Sequence, residues 1–229
     1  MSQGGYVVGE TTAEYLPLTD GNFWTYSVTG TYGTYNKTVT VLPGTTMING
    51  MPTKALQTSG GPDDQGIEYW TNDISGIRVH GAYVPDTDIG PAWLYLEPPM
   101  VTASRTMDIN ETVKSSGKAK FIFDYYGTYI LDYESTSTVK GMETVTVPAG
   151  TYETVKIRGS RRIFGNILGE PYEDVSTSTT WLARYIGVVK DTYADFDSNE
   201  VYDLISTNVK PPPVQPPAQF LPFLTLLLD

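Results

Sequence analysis

Along most of this chain apolar residues recur at every second position. In FWTYSVTG, Trp24, Tyr26 and Val28 fall on one face and Thr25, Ser27 and Thr29 on the other, the period of two that a pleated strand imposes. The same alternation runs through Val39 and Val41 between Thr38 and Thr40, through Val145 and Val147 beside Thr144 and Thr146, and through Val155 and Ile157 between Thr154, Lys156 and Arg158. No window between residues 23 and 209 sustains an apolar period of 3.6, so the pattern predicts strands and no long helix. One face of each strand is core; the other is rich in Thr and Tyr, which suit a half-buried sheet.

Turn residues punctuate these runs at Asp20-Gly21, Pro43-Gly44, Asn49-Gly50, Gly60-Gly61-Pro62, Ala149-Gly150 and Ser198-Asn199. Asn49-Gly50 is the clearest, because both residues tolerate the positive φ of a two-residue hairpin, and it predicts strands near 45–48 and 52–58. From Pro85 to Met107, three prolines interrupt an apolar patch around Trp93, Leu94, Tyr95 and Leu96, which reads as a long crossover with one short strand. The fold expected is all-β: an antiparallel curved sheet, a half-barrel or a sandwich of roughly 10–13 short strands, followed by an extended C-terminal tail. TVTVLPGT at 38–45 echoes TVTVPAGT at 144–151, either as a duplication or as one turn chemistry used twice.

Three segments together resemble a group of bacterial secreted, lipoprotein-like β domains of unassigned function: YLPLTDGNFWTYSV at 15–28, GMETVTVPAGTYETVKI at 141–157 and TTWLARYIGVVKDTY at 179–193. Those domains are distantly similar to periplasmic lipoprotein carriers, whose curved sheet half-closes around an apolar cleft. The resemblance implies an extracytoplasmic location, secreted or at the cell surface, and an open apolar cleft. It supplies no catalytic residues. The opening MSQGGYVVGE lacks the basic start and apolar run of a signal peptide, so that location requires a signal absent from the chain as written.

Composition narrows the chemistry. Fifteen Lys and Arg against 26 Asp and Glu give a net charge of −11 over 229 residues, which disfavours nucleic acid as a partner. Cysteine is absent, which removes thiolate nucleophiles and disulfides, and no apolar run is long enough for a membrane-spanning helix. The single histidine, His80 in GIRVHGAYV, shares a strand face with Arg78 and reads as a surface residue; multi-histidine metal sites are excluded. Asp195, Asp197 and Asn199 alternate as at the start of a calcium loop, but Glu200 stands where that loop needs Gly and Ser206 where it needs an acid. A polar hairpin turn is the plainer reading, and no other cofactor is indicated. Asp63-Asp64 and Asp86 with Asp88 read as solvated loop carboxylates. Arg158, Arg161 and Arg162 read as surface charges flanking a hairpin turn at Gly159-Ser160. Seventeen tyrosines and four tryptophans keep carbohydrate stacking open as an alternative.

The chain divides into an arm at 1–14, a β domain at 15–210, a proline-rich tether at 211–219 and an apolar tail at 220–229. The tether is a polyproline II spacer of roughly 20 Å. The tail offers Phe220, Leu221, Phe223, Leu224, Leu226, Leu227 and Leu228, too short to span a bilayer and apolar on both faces as a strand. It reads as an insert for a groove, the chain's own or that of a neighbouring copy. The leading expectation is therefore a non-enzymatic structural or interaction protein that self-assembles by strand donation. The alternatives are a carrier of lipid or lipoprotein and a carbohydrate-binding module.

Overall fold

The computed structural model describes residues 14–61, 64–85, 87 and 90–212. Among them lie thirteen strands: β1 Phe23–Gly30, β2 Gly33–Val41, β3 Thr46–Ile48, β4 Met51–Ser59, β5 Ile67–Asp73, β6 Gly76–Val84, β7 Ala92–Ala103, β8 Thr112–Phe123, β9 Gly127–Val147, β10 Gly150–Ile167, β11 Glu170–Ala183, β12 Gly187–Ala194 and β13 Asn199–Thr207. From β4 to β13 each strand pairs antiparallel with the next, and β13 returns to β1. The sheet then closes through β2, which pairs with β1 on one side and with the last four residues of β4 on the other, from Thr38↔Ser59 to Val41↔Leu56. The expected antiparallel curved sheet is thus present, and it closes into a twelve-stranded meander barrel. β3 stands outside the ring, paired with the first three residues of β4 across the Asn49-Gly50 turn. Closure leaves no long open edge, the usual liability of an antiparallel sheet.

Alternation becomes inside and outside. Trp24, Tyr26 and Val28 turn inward, and all are buried. Trp24 donates its indole N–H to the Ile186 carbonyl at 2.6 Å. Gly187 makes room for that ring, since a Cβ there would lie 2.9 Å from the indole nitrogen. The outer wall is ion-paired across strands, as with Lys118 and Asp132 at 2.5 Å and Lys190 and Asp203 at 2.8 Å. Two hairpins add further buried contacts, the first in a separate outer cluster and the second joined to the cluster that holds Trp24 and Tyr26. That of β3 and β4 packs Ile48 and Ala55 with Tyr69, against half-buried Trp93 and Tyr95. The tip of β9 and β10 contributes Val145 and Val147 to a cluster with Trp181 and Leu204, anchored where the Ala149 N–H meets the Leu204 carbonyl at 2.9 Å.

Turns after β2, β5, β7, β9 and β11 gather at one end of the barrel, and those after β1, β4, β6, β8, β10 and β12 at the other. The first end is plugged. Tyr15 and Leu16 are buried there with Met107, Ile157 and Leu182. Asn72 holds the Leu16 carbonyl at 2.8 Å, the Tyr185 N–H holds that of Glu14 at 2.5 Å, and Arg184 pairs with the Glu14 carboxylate at 2.6 Å.

Three local expectations are corrected. Pro85 to Met107 is no crossover: it contains the twelve-residue strand β7. The ladder with β6 skips from Tyr95 to Met100, so Pro98 and Pro99 sit in a bulge where their missing N–H groups break no ladder bond. Gly159-Ser160 is no turn: β10 runs straight through it, with Gly159 between Ser137 and Ser178 on the flanking strands. His80 is not a surface residue but 1% exposed. It is the extra residue of a bulge on both sides of β6, which shifts the alternation by one, and its Nε2 lies 2.9 Å from the Thr71 hydroxyl. Burial, followed by the neighbouring Arg78 charge, pushes its pKa down.

The closing seam is short, so its packing should be sensitive. Leu56, buried against Val41 beside it, is the test position. Leu56→Ala is expected to lower unfolding free energy by about 2–4 kcal/mol in urea titration. A loss under about 0.5 kcal/mol would mean that the seam contributes little.

Candidate functional site

Inside the barrel the inward residues leave a cavity of ≈ 710 Å³ rather than a filled core. Twelve strands make a ring wide enough for a lumen unless large side chains fill it. Here one wall is built mainly from small ones, with Arg161 among them. Ser115, Ser135, Arg161 and Ser176 face one another across β8 to β11, and the next row carries Ser137, Gly159 and Ser178. Gly159 is needed for flatness, since a Cβ would come within 2.9 Å of the Ser178 hydroxyl.

The opposite wall is aromatic and charged. Glu200 is 5% exposed and accepts hydrogen bonds from the hydroxyls of Tyr35, at 2.7 Å, and Tyr202. The Lys37 ammonium lies 5.2 Å above the Tyr202 ring. Glu68 accepts from the Trp70 indole at 3.0 Å. Asp191, on β12, accepts from the Thr180 hydroxyl at 2.6 Å. It lies deep in the barrel while keeping part of its surface open to the lumen. Burial raises its pKa from the ordinary 3.8 to about 7, with the Thr180 hydrogen bond and the Lys37 charge pulling the other way and Glu68 adding to the rise. Burial also pushes the Tyr193 phenol up to about 12, and it pushes that of Tyr26, whose hydroxyl donates to the Val188 carbonyl at 3.0 Å, upward as well.

Towards the plug the lining turns apolar: Leu16, Trp70, Ile77, Ile157, Leu182 and Val188. Towards the other end it includes Tyr32, Tyr83 and Pro85, with Tyr32 57% exposed. The lumen is therefore graded from an apolar floor to a polar upper part.

Few residues singled out from the sequence meet here. Arg161, expected on the surface, lines the lumen and pairs with Asp174 at 2.9 Å, whereas Arg158 and Arg162 stay outside, Arg162 paired with Glu173 at 2.7 Å. The Asp195, Asp197 and Asn199 pattern forms the turn between β12 and β13. One Asp195 carboxylate oxygen accepts the backbone N–H groups of Asp197 at 3.0 Å and Ser198 at 2.7 Å, and the Ser198 hydroxyl at 2.9 Å. Burial opposes ionisation there, but those hydrogen bonds prevail and hold the carboxyl low. Among the described residues no three acidic or imidazole groups converge as a metal site would need, and no helix is long and apolar enough to cross a membrane. Phe220 to Leu228, with Asp63, Asp86 and Asp88, lie outside the described residues. The lumen carboxylates escaped the sequence reading. A usable signal existed at Lys190-Asp191: in a strand, adjacent charges cannot both face outward.

The fold and site define a closed antiparallel meander barrel with an amphipathic lumen. Among solved structures the chain is similar to the hypothetical lipoprotein YmcC from Escherichia coli, with TM-score 0.44 and 11% identity over 93% of this chain and 100% of that one. It is also similar to an exported-protein candidate of YmcC-like fold from Bacteroides fragilis, with TM-score 0.38 and 11% identity over 84% and 98%. A lipoprotein candidate from Parabacteroides distasonis gives TM-score 0.37 and 12% identity over 86% and 99%. Likeness at this level assigns neither ligand nor activity. No protein-family model matches the chain, and no curated protein matches it by sequence.

Asp191 gives the lumen a pH signature. Its folded pKa stands above the unfolded one, so between about pH 4 and pH 7 the folded state binds the extra proton. Its contribution to stability is full below that window and lost as pH rises through it. Thermal melting of the wild type and Asp191→Asn at several pH values should show this fall in the wild type and a flatter curve in the variant. Parallel curves would contradict it.

Proposed function

We propose that this chain is an extracytoplasmic, non-enzymatic binding protein that holds a small amphipathic molecule in its barrel lumen. The observation that carries the reading is the graded lumen of ≈ 710 Å³, plugged at the Tyr15–Leu16 end and walled by serine and glycine where bulky residues would have filled it. That volume lies within the range of small-molecule sites, and the lining has their character, mostly apolar with a few placed polar groups. The lumen carboxylates serve in this reading as fixed hydrogen-bond acceptors and not as acid and base. The extracytoplasmic placement rests on the three sequence segments that resemble secreted lipoprotein-like domains.

The test is titration of the full chain with the uncharged dye N-phenyl-1-naphthylamine. Saturable fluorescence enhancement at one dye per chain is expected, and Gly159→Trp, which fills the lumen beside Ser137 and Ser178, should abolish it while melting stays cooperative. Enhancement that never saturates, or that survives Gly159→Trp, would reject lumen binding.

A second reading rests on the sequence KPPPVQPPAQFLPFLTLLLD at 210–229, a stiff spacer ending in an apolar strand-length insert. In it the tail docks in a groove of a neighbouring copy and links subunits by strand donation. Light scattering of the full chain and of a truncation after Lys210 decides: loss of multimers on truncation supports it, and equal mass distributions reject it.

A further inference from the structure

Resting on the lumen-binding reading, we propose that the ligand is a cationic amphiphile, an organic ammonium whose head is held between Glu68 and Asp191 and whose apolar part lies on the lumen floor.

Charge in the lumen is one-sided. Glu68, Asp191, Asp195 and Glu200 line it against the side chains of Lys37 and Arg161, and Asp174 already neutralises Arg161 at 2.9 Å. Lys37 alone then faces four carboxylates, an excess of three negative charges when all are ionised. The groups that serve these carboxylates are neutral: tyrosine hydroxyls at Glu200, the Thr180 hydroxyl at Asp191, the Trp70 indole at Glu68 and the turn's own donors at Asp195. None of Glu68, Asp191 and Glu200 forms an ion pair with a described residue. Confined charges are ordinarily paired, because they have given up hydration. Here the missing partner has a cavity to occupy. Glu68 is exposed and Asp191 keeps part of its surface open to the lumen, so both are within reach of a guest. A carboxylate has about four lone-pair sites, and the hydrogen bonds named leave some of them unused on both.

The surroundings select the kind of cation. Among the described residues no three acidic groups converge as a metal ion would need. An organic ammonium is bound differently, by carboxylates at longer range and by the faces of aromatic rings. Tyr26, Tyr35, Trp70 and Tyr202 supply such rings on the same wall, and the Lys37 ammonium already lies 5.2 Å above that of Tyr202. An anionic head would enter against the field. A neutral head would leave the field uncompensated.

Asp191 links this choice to pH. From the other strands it is faced by Lys37 on β2, Glu68 on β5, Thr180 on β11, Tyr26 on β1 and Tyr202 on β13. Burial raises its pKa to about 7, and Lys37, the one cation in that set, offsets the rise only in part. A bound ammonium adds a second positive charge beside it and favours the ionised form, so binding below pH 7 expels a proton. The apolar floor lies close beneath. Val188, three residues before Asp191 on β12 and roughly 10 Å lower at strand spacing, belongs to it with Ile157, Leu182 and Leu16. An alkyl chain directed down from the ammonium ends against the plug.

Head-group chemistry is tested by displacing bound N-phenyl-1-naphthylamine from the full chain with three ten-carbon amphiphiles: decyltrimethylammonium, 1-decanol and decanoate, each below its aggregation threshold. The quaternary head keeps its charge at every pH, so a pH dependence of its binding belongs to the protein. At pH 8 the ammonium is expected to displace the dye at a concentration about tenfold or more below that of the alcohol, with decanoate the weakest. That advantage over the alcohol should shrink about tenfold at pH 6, where Asp191 must first lose its proton. Asp191→Asn, which can still accept from Thr180, should narrow the gap at pH 8 and remove its pH dependence. Glu68→Gln, which can still accept from Trp70, should narrow the gap and keep the pH dependence. Displacement by the alcohol or decanoate at an equal or lower concentration, a gap that is the same at pH 6 and pH 8, or a gap unchanged in both variants overturns the proposal while leaving lumen binding intact. Failure of the dye itself to bind rejects the lumen reading and the proposal together.

Discussion

Everything distinctive about this barrel depends on four residue pairs between β2 and the end of β4. Twelve strands pair in an unbroken meander, yet only that seam turns a curved sheet into a ring. Once closed, each strand's alternation acquires a fixed meaning, because one face looks into a shared interior and the other to solvent. Opened at Val41 and Leu56, the same sequence would expose two strand edges, and Trp24, Tyr26 and Val39 would lose the wall they face.

Closure alone does not create a cavity; side-chain size does. Opposed to the tyrosines and tryptophans of β1, β2, β5 and β13 is a wall of serines with Gly159 among them, so the two sides of the barrel cannot meet. The polar groups this leaves inside are expensive to bury and are therefore matched. Glu200 lies between two tyrosine hydroxyls, and Asp191 against Thr180. The elevated pKa of Asp191 follows from the same confinement. Those partners are neutral, so the carboxylates stay without a paired cation, and their position above an apolar floor gives the lumen a direction.

Much of the architecture was legible in the sequence, for local reasons. Asn49-Gly50 placed its hairpin because its backbone demands are strict, and FWTYSVTG assigned its faces because period-two alternation survives in a strand with one buried side. The failures were of one kind: residues whose usual role is local were used non-locally. Pro98 and Pro99 mark a bulge within a strand where they suggested a crossover. Gly159 serves lumen width where it suggested a turn. His80 and Arg161 read as surface residues in the sequence because nothing in a single strand reveals a bulge that shifts the alternation, or a ring that surrounds the inner face. Closure, and with it the lumen, lies in the pairing of residues 38–41 with 56–59, which no local pattern encodes.

The central claim is that the space enclosed by the ring receives a ligand. A crystal structure of the full chain grown with an amphiphile whose acyl chain ends in bromine would test it most directly, because bromine can be located by its anomalous scattering. The account predicts a single bromine site inside the barrel, beside Trp70 and Leu182 above the Leu16 plug. Bromine on the outer aromatic surface of Tyr69, Trp93 and Tyr95, with the lumen closed over by its own side chains, would contradict it.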